Sequence, residues 1–457
     1  MQSLIKGIVE SWSIKEGVNS FDDILLWIRD KNDKLVVKMS KINLKESKSW
    51  FLDDSGMIVN KNSSFFKIGG LKTITDSGVF EQPIIHQDEI GYLGIICKPI
   101  NGIIHFLMQA KIEPGNVNKV QISPTIQATK SNFEQKHGGK KPNYLDYFKN
   151  PNDSTIIVDQ IQSEQAERFW GKRNRNIILY TEKEIDVLPS HMWMTLGQIK
   201  ELMKIDNLVN MDTRTVLSCL PFSLFNIKSK EVCCYFSNKL LCNSIFNTDN
   251  VELENVFHLI NDFKMFGNSK SSFCRLDELK KWGFAGKDFR SVEKSNFKVV
   301  FYNIEIDDRE VRKWDQPLFE ANGSAIFVLF ACNFEGKYKF LVKLSPESGS
   351  FDKVELGPTI QDEYLEVEKM PSNSIEAIYL KHINNNIGVL NNVVLSEEGG
   401  RFFQEENRNV VIEIKKDELP TTPDGYIWLD YKTLNYLIQF NNVLNIQLRN
   451  LLSLLEA

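Results

Sequence analysis

The tetrapeptide Pro-Thr-Ile-Gln occurs twice in the chain, and this repetition decides how the fold is organised. It closes the stretch NKVQISPTIQ (118–127) and again the stretch DKVELGPTIQ (352–361), at an offset of 361 − 127 = 234 residues. Extended without a gap, FLMQAKIEPGNVNKVQISPTIQ aligns with FLVKLSPESGSFDKVELGPTIQ, and Gln82-Pro83 aligns with Gln316-Pro317 at the same spacing. The repetition therefore extends well beyond four letters.

Two further blocks repeat in the same order. SEQAERFWGKRNRNI (163–177) matches SEEGGRFFQEENRNV (396–410), and WMTLGQIKELMKIDNLVNMDTRTVLSCL (193–220) matches WLDYKTLNYLIQFNNVLNIQLRNLLSLL (428–455). The period exceeds the roughly 20 to 50 residues of solenoid repeats. Three ordered blocks at this period predict two whole domains that arose by internal duplication.

Length and composition agree with two globular domains. The chain has 457 residues, of which 42% are hydrophobic and 25% charged, with a net charge of −5. We expect a boundary near residue 225, which divides an N-terminal domain (1–225) from a C-terminal repeat (226–457). The dispersed Lys and Arg residues indicate no nucleic-acid partner. Since no apolar run reaches the ~18 residues of a membrane helix and the start of the chain lacks signal-peptide features, we expect no membrane partner and a cytoplasmic location.

Each repeat has the same coarse order of helices and strands. FDDILLWIRD (21–30) and VFHLINDFKMF (256–266) have apolar residues three to four apart and predict helices. IIHFLMQAKI (103–112) and KFLVKL (339–344) predict strands, and Asn101-Gly102 predicts a hairpin turn before the first of them. The predicted fold class is α+β, with mixed or antiparallel sheets flanked by helices in each of two tandem domains.

Polar residues that both repeats share are candidates for either the fold or a common pocket. They are Thr125/Thr359, Gln127/Gln361, Glu164/Glu397, Arg168/Arg401, Asn174/Asn407, Arg175/Arg408, Asn210/Asn445 and Arg214/Arg449. In one interpretation the Asn residues cap turns and Arg–Glu pairs tie the domain together. In the other they line a pocket for a diphosphate and a base, since a guanidinium donates two parallel hydrogen bonds to phosphate oxygens.

One polar strand face belongs to the first repeat alone. Alternate side chains of a strand share a face, so His105, Gln109, Lys111 and Glu113 point the same way. The second repeat lacks the histidine and the glutamine. The next segment, SNFEQKHGGKKPNYLDYF (131–148), is also without a counterpart. The first repeat is therefore the predicted reactive one, with a plain surface loop as the alternative explanation of the second segment.

These blocks resemble the NDP-hexose 2,3-dehydratase family, whose members carry a duplicated domain related to the Nudix fold. In the first repeat the resemblance rests on HFLMQAKIEPGN, PTIQATKSNF, HGGKKPNYLDYF and MWMTLGQIKELM, and in the second on REVRKWDQPL, GPTIQ and SEEGGRFF. It implies two tandem Nudix-like α/β/α domains, a homodimer and no redox cofactor. The implied substrate is a nucleoside-diphospho-4-keto-6-deoxyhexose, usually the dTDP-glucose derivative, which loses its C2 hydroxyl to give a 3,4-diketo-2,6-dideoxy sugar.

Such an elimination needs a base near C3, a donor to the C4 enolate oxygen and an acid for the departing hydroxyl. We expect His105 or Tyr144 as acid or base, and Lys111 or Gln109 as donor. The candidates nearer the diphosphate are Arg168, Arg175 and Arg214. The remaining expected substrate-binding residues are Gln127, Ser131, Asn132, His137, Glu164 and Asn210.

Two alternatives of other kinds stay open. A Nudix pyrophosphohydrolase would need paired glutamates to hold Mg²⁺ over the phosphates, but Lys313 and Trp314 follow the Arg-Glu-Val at 309–311 where both glutamates belong, and Phe301 replaces the upstream one. No metal site is therefore expected. The other alternative is a sugar-nucleotide-binding protein without catalytic activity, and the second repeat is the expected degenerate or structural pocket.

Overall fold

The computed structural model describes residues 1–62, 65–76, 78–134, 140–247, 251–307, 311–362 and 374–457. Within these ranges the helices are α1 (Gln2–Ser13), α2 (Phe21–Lys34), α3 (Lys130–Phe133), α4 (Leu145–Lys149), α5 (Leu196–Leu202), α6 (Met211–Ser218), α7 (Ser229–Val232), α8 (Lys239–Phe246), α9 (Leu253–Phe266), α10 (Ile375–Asn385), α11 (Tyr431–Ile438) and α12 (Ile446–Ser453). The strands of the first half are β1 (Val37–Ile42), β2 (Trp50–Leu52), β3 (Ile58–Asn60), β4 (Lys67–Thr75), β5 (Gly78–His86), β6 (Gly91–Ile100), β7 (Ile103–Ile112), β8 (Val120–Ser123), β9 (Ile126–Ala128), β10 (Thr155–Ser163), β11 (Phe169–Trp170), β12 (Arg173–Tyr180) and β13 (His191–Thr195). Those of the second half are β14 (Lys270–Cys274), β15 (Trp282–Ala285), β16 (Asp288–Ser291), β17 (Phe297–Ile306), β18 (Lys313–Ala321), β19 (Ile326–Phe334), β20 (Lys337–Ser345), β21 (Glu355–Gly357), β22 (Ile360–Asp362), β23 (Val389–Ser396), β24 (Glu406–Ile414) and β25 (Tyr426–Asp430).

Each repeat builds one seven-stranded mixed sheet. The first large sheet has the order β10-β12-β6-β7-β13, with β8 on β7 and β9 on β6. The second large sheet has the order β23-β24-β19-β20-β21, with β22 on β19 and β25 on β20. In both sheets one central pair is parallel, β6 with β12 and β19 with β24. The prediction of an α+β fold with mixed sheets in two repeated halves is confirmed.

The repeated Pro-Thr-Ile-Gln segment joins the same two strands in each repeat. The Thr125 hydroxyl accepts a hydrogen bond from the Ile96 N–H of β6 at 3.0 Å and donates one to the Leu107 carbonyl of β7. Thr359 makes the two equivalent bonds in the second large sheet. In each repeat the threonine hydroxyl thus satisfies one backbone N–H and one carbonyl of two neighbouring strands. The shared threonine therefore has a structural role in both repeats.

Local signals of helices and turns are confirmed. Helices α2 and α9 contain the two predicted amphipathic segments, and α2 begins with a capping box in which the Ser20 hydroxyl accepts from the Asp23 N–H at 3.1 Å. At the predicted hairpin, Asn101 and Gly102 have φ angles of 51° and 82°. These positive values are what a tight two-residue connection between twisted strands requires.

The two small sheets exchange one strand between the halves of the chain. The first small sheet contains β2, β3, β4, β5 and β11, but its edge on β4 is completed by β14 of the second half. The second small sheet contains β15, β16, β17 and β18, but its edge on β17 is completed by β1 of the first half. Each half of the chain therefore supplies a strand that the other half needs.

Buried arginines tie the repeats together around α6 and α12. Arg214 donates through Nη2 to the Ser396 carbonyl at 2.8 Å, and Arg449 donates to the Ser163 carbonyl, which is the equivalent position. A single buried apolar cluster continues across both repeats. Arg214 and Arg449 therefore have structural roles, although their partners are backbone carbonyls and not the glutamates expected from the sequence.

No helix within the described ranges is long and apolar enough to cross a membrane.

Candidate active site

A cavity of about 750 Å³ lies where the first large sheet, the small sheets and the second repeat meet. Its volume falls in the roughly 300–1,000 Å³ range of small-molecule sites. The end of β7 supplies Lys111, β9 supplies Gln127, α6 supplies Asp212, and the segment after β23 supplies Glu398. The cavity is therefore built by both repeats.

The strands of the first large sheet position a lysine among acceptors. Lys111 Nζ lies 3.3 Å from Glu113 Oε1 and donates to the Gln127 carbonyl at 3.2 Å. The Gln127 side chain is fixed in turn, because its Oε1 accepts from Ser123 at 2.7 Å and from Asn210 at 3.0 Å. The lysine thus presents a positive charge at a defined place in the cavity wall.

Three carboxyl groups with raised pKa values line the cavity. Burial raises the pKa of Glu164 to about 7, against the opposing charge of Lys172. Burial and the neighbouring Glu113 raise the pKa of Glu398 to about 8. Burial, followed by the charge of Glu164, raises the pKa of Asp212 well above its usual range. Carboxyl groups with such values can both give and accept protons near neutral pH.

Two cationic groups face these carboxyl groups. Burial lowers the pKa of Lys172 to about 8, and its ammonium donates to the Glu89 carbonyl. Arg401, from the second repeat, donates through Nη2 to Gln87 at 3.2 Å and stacks 4.3 Å from the ring centre of Phe66. In the part of the chain that the structure describes, no group of three or more His, Cys, Asp or Glu side chains could hold a metal ion.

The walls from the small sheets carry a different chemistry, with exposed lysines beside aromatic rings. Lys48, Lys61 and Lys313 line the cavity and are exposed to solvent. Trp50 and Trp314 lie among them, and the Trp50 indole donates to the Asp315 carbonyl at 2.8 Å. Lysines suit phosphate oxygens, and aromatic rings offer a surface for a base.

Comparison with known proteins decides the family. The model of the NDP-hexose 2,3-dehydratase family matches residues 21–220 and 253–455. The chain belongs to the NDP-hexose 2,3-dehydratase family. The dTDP-4-dehydro-6-deoxy-alpha-D-glucopyranose 2,3-dehydratase of Saccharopolyspora spinosa is 33% identical over 94% of this chain and 90% of its own. Proteins of the same name from Amycolatopsis orientalis and Streptomyces violaceoruber are each 32% identical, over 95% and 93% of this chain and 90% and 95% of their own.

The family predicted from sequence is thereby confirmed, and the chain is a hydro-lyase. Of the residues predicted for the dehydratase site, five line the cavity: Lys111, Gln127, Ser131, Asn132 and Glu164. Ser131 donates through its backbone N–H to the Glu89 carboxylate at 2.8 Å. These five bring together the polar strand face, the repeated tetrapeptide, the start of the segment found in the first repeat alone and, through Glu164, the repeated block 163–177.

His105 of the dehydratase is buried away from the cavity, although it lies on the same strand as Lys111. Its Nδ1 is 2.8 Å from the Ile103 carbonyl, and its Nε2 accepts from the Val18 N–H at 3.0 Å. Burial lowers its pKa. Because the backbone occupies both ring nitrogens, the expected acid–base role does not fit this placement.

Tyr144 and Gln109 also lie outside the cavity wall. The Tyr144 hydroxyl donates to the Asp186 carbonyl at 2.8 Å and accepts from the Leu188 N–H at 3.0 Å, so it holds two loops together. Gln109 lies within β7 opposite Ser123 and does not reach the cavity. The alternation of β7 was predicted well, but only the end of the strand opens into the cavity.

The three predicted diphosphate arginines make other contacts. The Arg168 guanidinium lies 4.1 Å from the ring centre of Phe297, and Arg175 forms two 2.6 Å hydrogen bonds with the Asp159 carboxylate. Arg214 joins the repeats. None of the three lines the cavity. Their partners are protein groups, which occupy the fork that a phosphate would need.

Two predicted binding residues of the dehydratase remain. Asn210 caps α6, since its Oδ1 accepts from the Thr213 N–H at 2.9 Å, and it supports Gln127 from behind. This is the structural role that one interpretation gave to the shared asparagines. His137 lies outside the described residues.

Sequence reasoning missed the lysines and tryptophans of the small-sheet walls, and it also missed three charged residues at the other end of the cavity: Lys172, Asp212 and Glu398. The aligned blocks contain a usable signal, because each of these three residues aligns with a residue of different charge in the other repeat. Those counterparts are Glu405, Gln447 and Gln165. Attention to residues unique to the first repeat could have found the first two. It could not have found Glu398, which comes from the second.

Proposed function

We propose that this dehydratase removes the C2 hydroxyl of dTDP-4-keto-6-deoxyglucose in the cavity and gives the corresponding 3,4-diketo-2,6-dideoxy sugar. The relatives named above support this substrate by their printed names. The observation that carries the proposal is the meeting of one positioned lysine, Lys111, with three carboxyl groups of raised pKa in a single cavity. That combination matches the needs of an elimination beside a ketone.

The chemistry follows from the C4 ketone. The carbonyl acidifies the C3 hydrogen, so a base can remove it, and the resulting enolate expels the C2 hydroxyl as water once an acid supplies a proton. The enol that remains then takes a proton at C2, loses the proton of its C3 hydroxyl and becomes the diketone. In this scheme the ammonium of Lys111 donates to the C4 oxygen as negative charge develops there, and the carboxyl groups transfer the protons.

The two kinds of wall also suggest how the substrate lies. The sugar occupies the end lined by carboxyl groups, because proton transfer must occur there. The diphosphate and the base extend toward Lys48, Lys61 and Lys313 with Trp50 and Trp314. Exposed lysines at this end hold the diphosphate as point charges, and the indole ring of Trp314, the less buried of the two tryptophans, provides a stacking surface.

Mass spectrometry tests the reaction directly. The purified chain is incubated with dTDP-4-keto-6-deoxyglucose, with and without EDTA, and the sugar nucleotides are analysed. We expect a product lighter by one water in both samples. Recovery of unchanged substrate would refute the proposal, and release of nucleoside monophosphate that requires Mg²⁺ would instead support a pyrophosphohydrolase.

We also propose that each repeat is Nudix-like, that the two units divide near residue 225, and that the active protein is a cytoplasmic homodimer. A seven-stranded mixed sheet with a terminal helix pair in each repeat supports the first point. The exchanged strands β1 and β14 mean that each proposed unit includes one strand from across the boundary. Sedimentation equilibrium of the purified chain tests the dimer, and a monomeric mass would contradict it.

A further inference from the structure

The cavity contains two carboxyl groups at positions where the equivalent pocket of the other repeat has amides. Asp212 lies in the first turn of α6, and Glu398 follows β23 in the second repeat. A smaller pocket of about 260 Å³ is lined by Gln447 and Gln165, which are the aligned residues. A glutamine side chain resembles a carboxylic acid in shape but does not exchange protons at neutral pH. The cavity and the smaller pocket therefore differ in their capacity for acid–base chemistry at these two positions.

The backbone carries Glu398 into the cavity from the second repeat. Gly115, just after β7, donates its N–H to the Gly399 carbonyl at 2.7 Å and accepts from the Gln404 N–H at 2.8 Å. Next to these two hydrogen bonds of Gly115, the Gly400 N–H donates to Glu398 Oε1 at 3.1 Å. The carboxyl group is thus held against the end of β7, beside Glu113 and Lys111.

Other carboxyl groups of the cavity distinguish the two sites less well. Glu164 and Glu113 have glutamate counterparts, Glu397 and Glu347, in the other repeat. Glu164 Oε2 also accepts from the Asn174 amide at 2.8 Å, an arrangement that the second repeat reproduces. Such preserved contacts are typical of positioning residues.

Asp212 and Glu398 are suited to hold different protonation states. The structure shows no hydrogen bond to the Asp212 carboxyl group from any described residue, although only 2% of this residue is exposed. The nearby Glu164 and Glu398 add to the effect of burial in raising its pKa. Like charges in one buried site cannot all ionise, so a protonated acid and an ionised base can coexist there.

We propose that Asp212 and Glu398 are the proton-transferring pair of the elimination, one contributed by each repeat. This rests on the proposed function. The ionised member takes the proton from C3, and the C3–H electron pair forms the enolate. The protonated member gives its proton to the C2 hydroxyl, which leaves as water with the C2–O bonding pair. The pair returns to its starting state when the first member releases the proton that it took and the second member takes up one proton in place of the one that it gave.

The test uses the full chain with Asp212→Asn and Glu398→Gln, changes that copy the amides of the smaller pocket. Glu355→Gln is the matched control, because Glu355 is also buried with a pKa raised to about 7 but lies outside both pockets. Turnover, melting temperature and substrate affinity are measured for each. Deuterium entry at C3 of unreacted substrate in D₂O is followed by mass spectrometry.

Each pair variant is expected to lose about 10² to 10⁴ in turnover while it melts near the wild-type temperature and still binds substrate. The variant that lacks the base also loses C3 exchange, whereas the variant that lacks the acid keeps it. Retention of turnover within about threefold in either variant, or an equal loss in Glu355→Gln, would overturn the pair. A wild-type chain that fails to dehydrate the sugar would instead overturn the proposed function, and the pair's role with it.

Discussion

Lys111 carries the charge that the proposed elimination places beside the C4 oxygen. Its ammonium lies at the end of β7, within 3.3 Å of Glu113 and 3.2 Å of the Gln127 carbonyl. Lys111→Met keeps much of the stem but removes the donor to the C4 oxygen. Since loss of one such donor costs about 10² to 10³ in rate, we expect kcat in the water-loss assay to fall by that factor.

Lys343→Met provides the control for that change. Lys343 lies on β20, the equivalent strand of the second repeat, and is also largely buried, but it lines neither pocket. The turnover of the Lys343→Met variant should stay close to that of the wild type. A similar loss in both variants would mean that strand lysines matter for folding rather than for chemistry.

His105 illustrates a buried side chain that holds the backbone. We expect His105→Ala to destabilise the protein, because it leaves the Val18 N–H without its acceptor and opens a small void. The lost hydrogen bond costs about 0.5–1.5 kcal/mol, and the lost packing of the buried ring adds to it. Thermal melting should therefore shift downward, while turnover per folded molecule is retained. Loss of turnover without loss of stability would restore the catalytic role expected from the sequence.

The same histidine makes a pH-dependent contribution with a definite sign. Burial lowers its folded-state pKa below the usual value of about 6.5, so the unfolded chain binds the proton more readily. The stabilisation is complete above that pH and is lost as the pH falls below it. The difference in unfolding free energy between wild type and His105→Ala should shrink accordingly in denaturant titrations at lower pH.

Local sequence signals predicted helices and turns but not the pairing of every strand. Asn101-Gly102 indicated a hairpin because few residues adopt positive φ, and apolar periodicity indicated α2 and α9. The pairing of β1 with β17 and of β14 with β4 could not be predicted in this way. The strands of the two small sheets have similar patterns in both halves of the chain, so a pattern does not tell which edge β1 or β14 reaches, and tertiary packing decides it.

The sequence predicted those site residues that lie on β7 or in the repeated tetrapeptide. Alternation along β7 brought Lys111 forward, and the repeated tetrapeptide brought Gln127 forward. The same alternation also suggested His105, because a strand pattern identifies a face but not where along that face a cavity opens. Glu398 reaches the cavity through the contact of Gly115 with Gly399, which depends on tertiary packing between the repeats.

The strand exchange can be trapped chemically. Thr73 and Ser271 lie opposite each other across β4 and β14, with their hydroxyl oxygens 2.9 Å apart. Directly opposed residues have Cβ atoms about 4.5–5.5 Å apart, within reach of a disulfide after slight adjustment. We expect Thr73→Cys with Ser271→Cys to crosslink under mild oxidation, detected as a joined peptide by mass spectrometry of the digested monomer.

The sequence supplies a matched control for the unexchanged arrangement. Met39 aligns with Ser271 at an offset of 271 − 39 = 232, the offset that also aligns Trp50 with Trp282, so it would face Thr73 if β1 paired within its own half. In the structure Met39 pairs with Ile304 instead. Met39→Cys with Thr73→Cys should therefore remain unlinked. The reverse result, with crosslinking only of the second pair, would contradict the exchange.

At the scale of the whole molecule, the two repeats depend on each other more closely than tandem domains usually do. They exchange strands, share one apolar cluster and each supply carboxyl groups to one cavity. Arg214 and Arg449 bind carbonyl groups across the junction in equivalent ways. Catalysis and stability should therefore be lost together when either half opens.

This dependence predicts cooperative unfolding. Phe340 is fully buried in the shared cluster, on β20 of the second repeat. We expect Phe340→Ala to cost about 3–5 kcal/mol and to raise global hydrogen exchange in β6 and β12 of the first repeat as much as in β19 and β24. Val292→Ala, at a position that is 83% exposed, should leave both repeats unchanged. A shared core transmits the loss of a buried ring to every strand packed on it. If exchange rises in the second large sheet while β6 and β12 keep their protection, the repeats therefore unfold independently and the prediction is wrong.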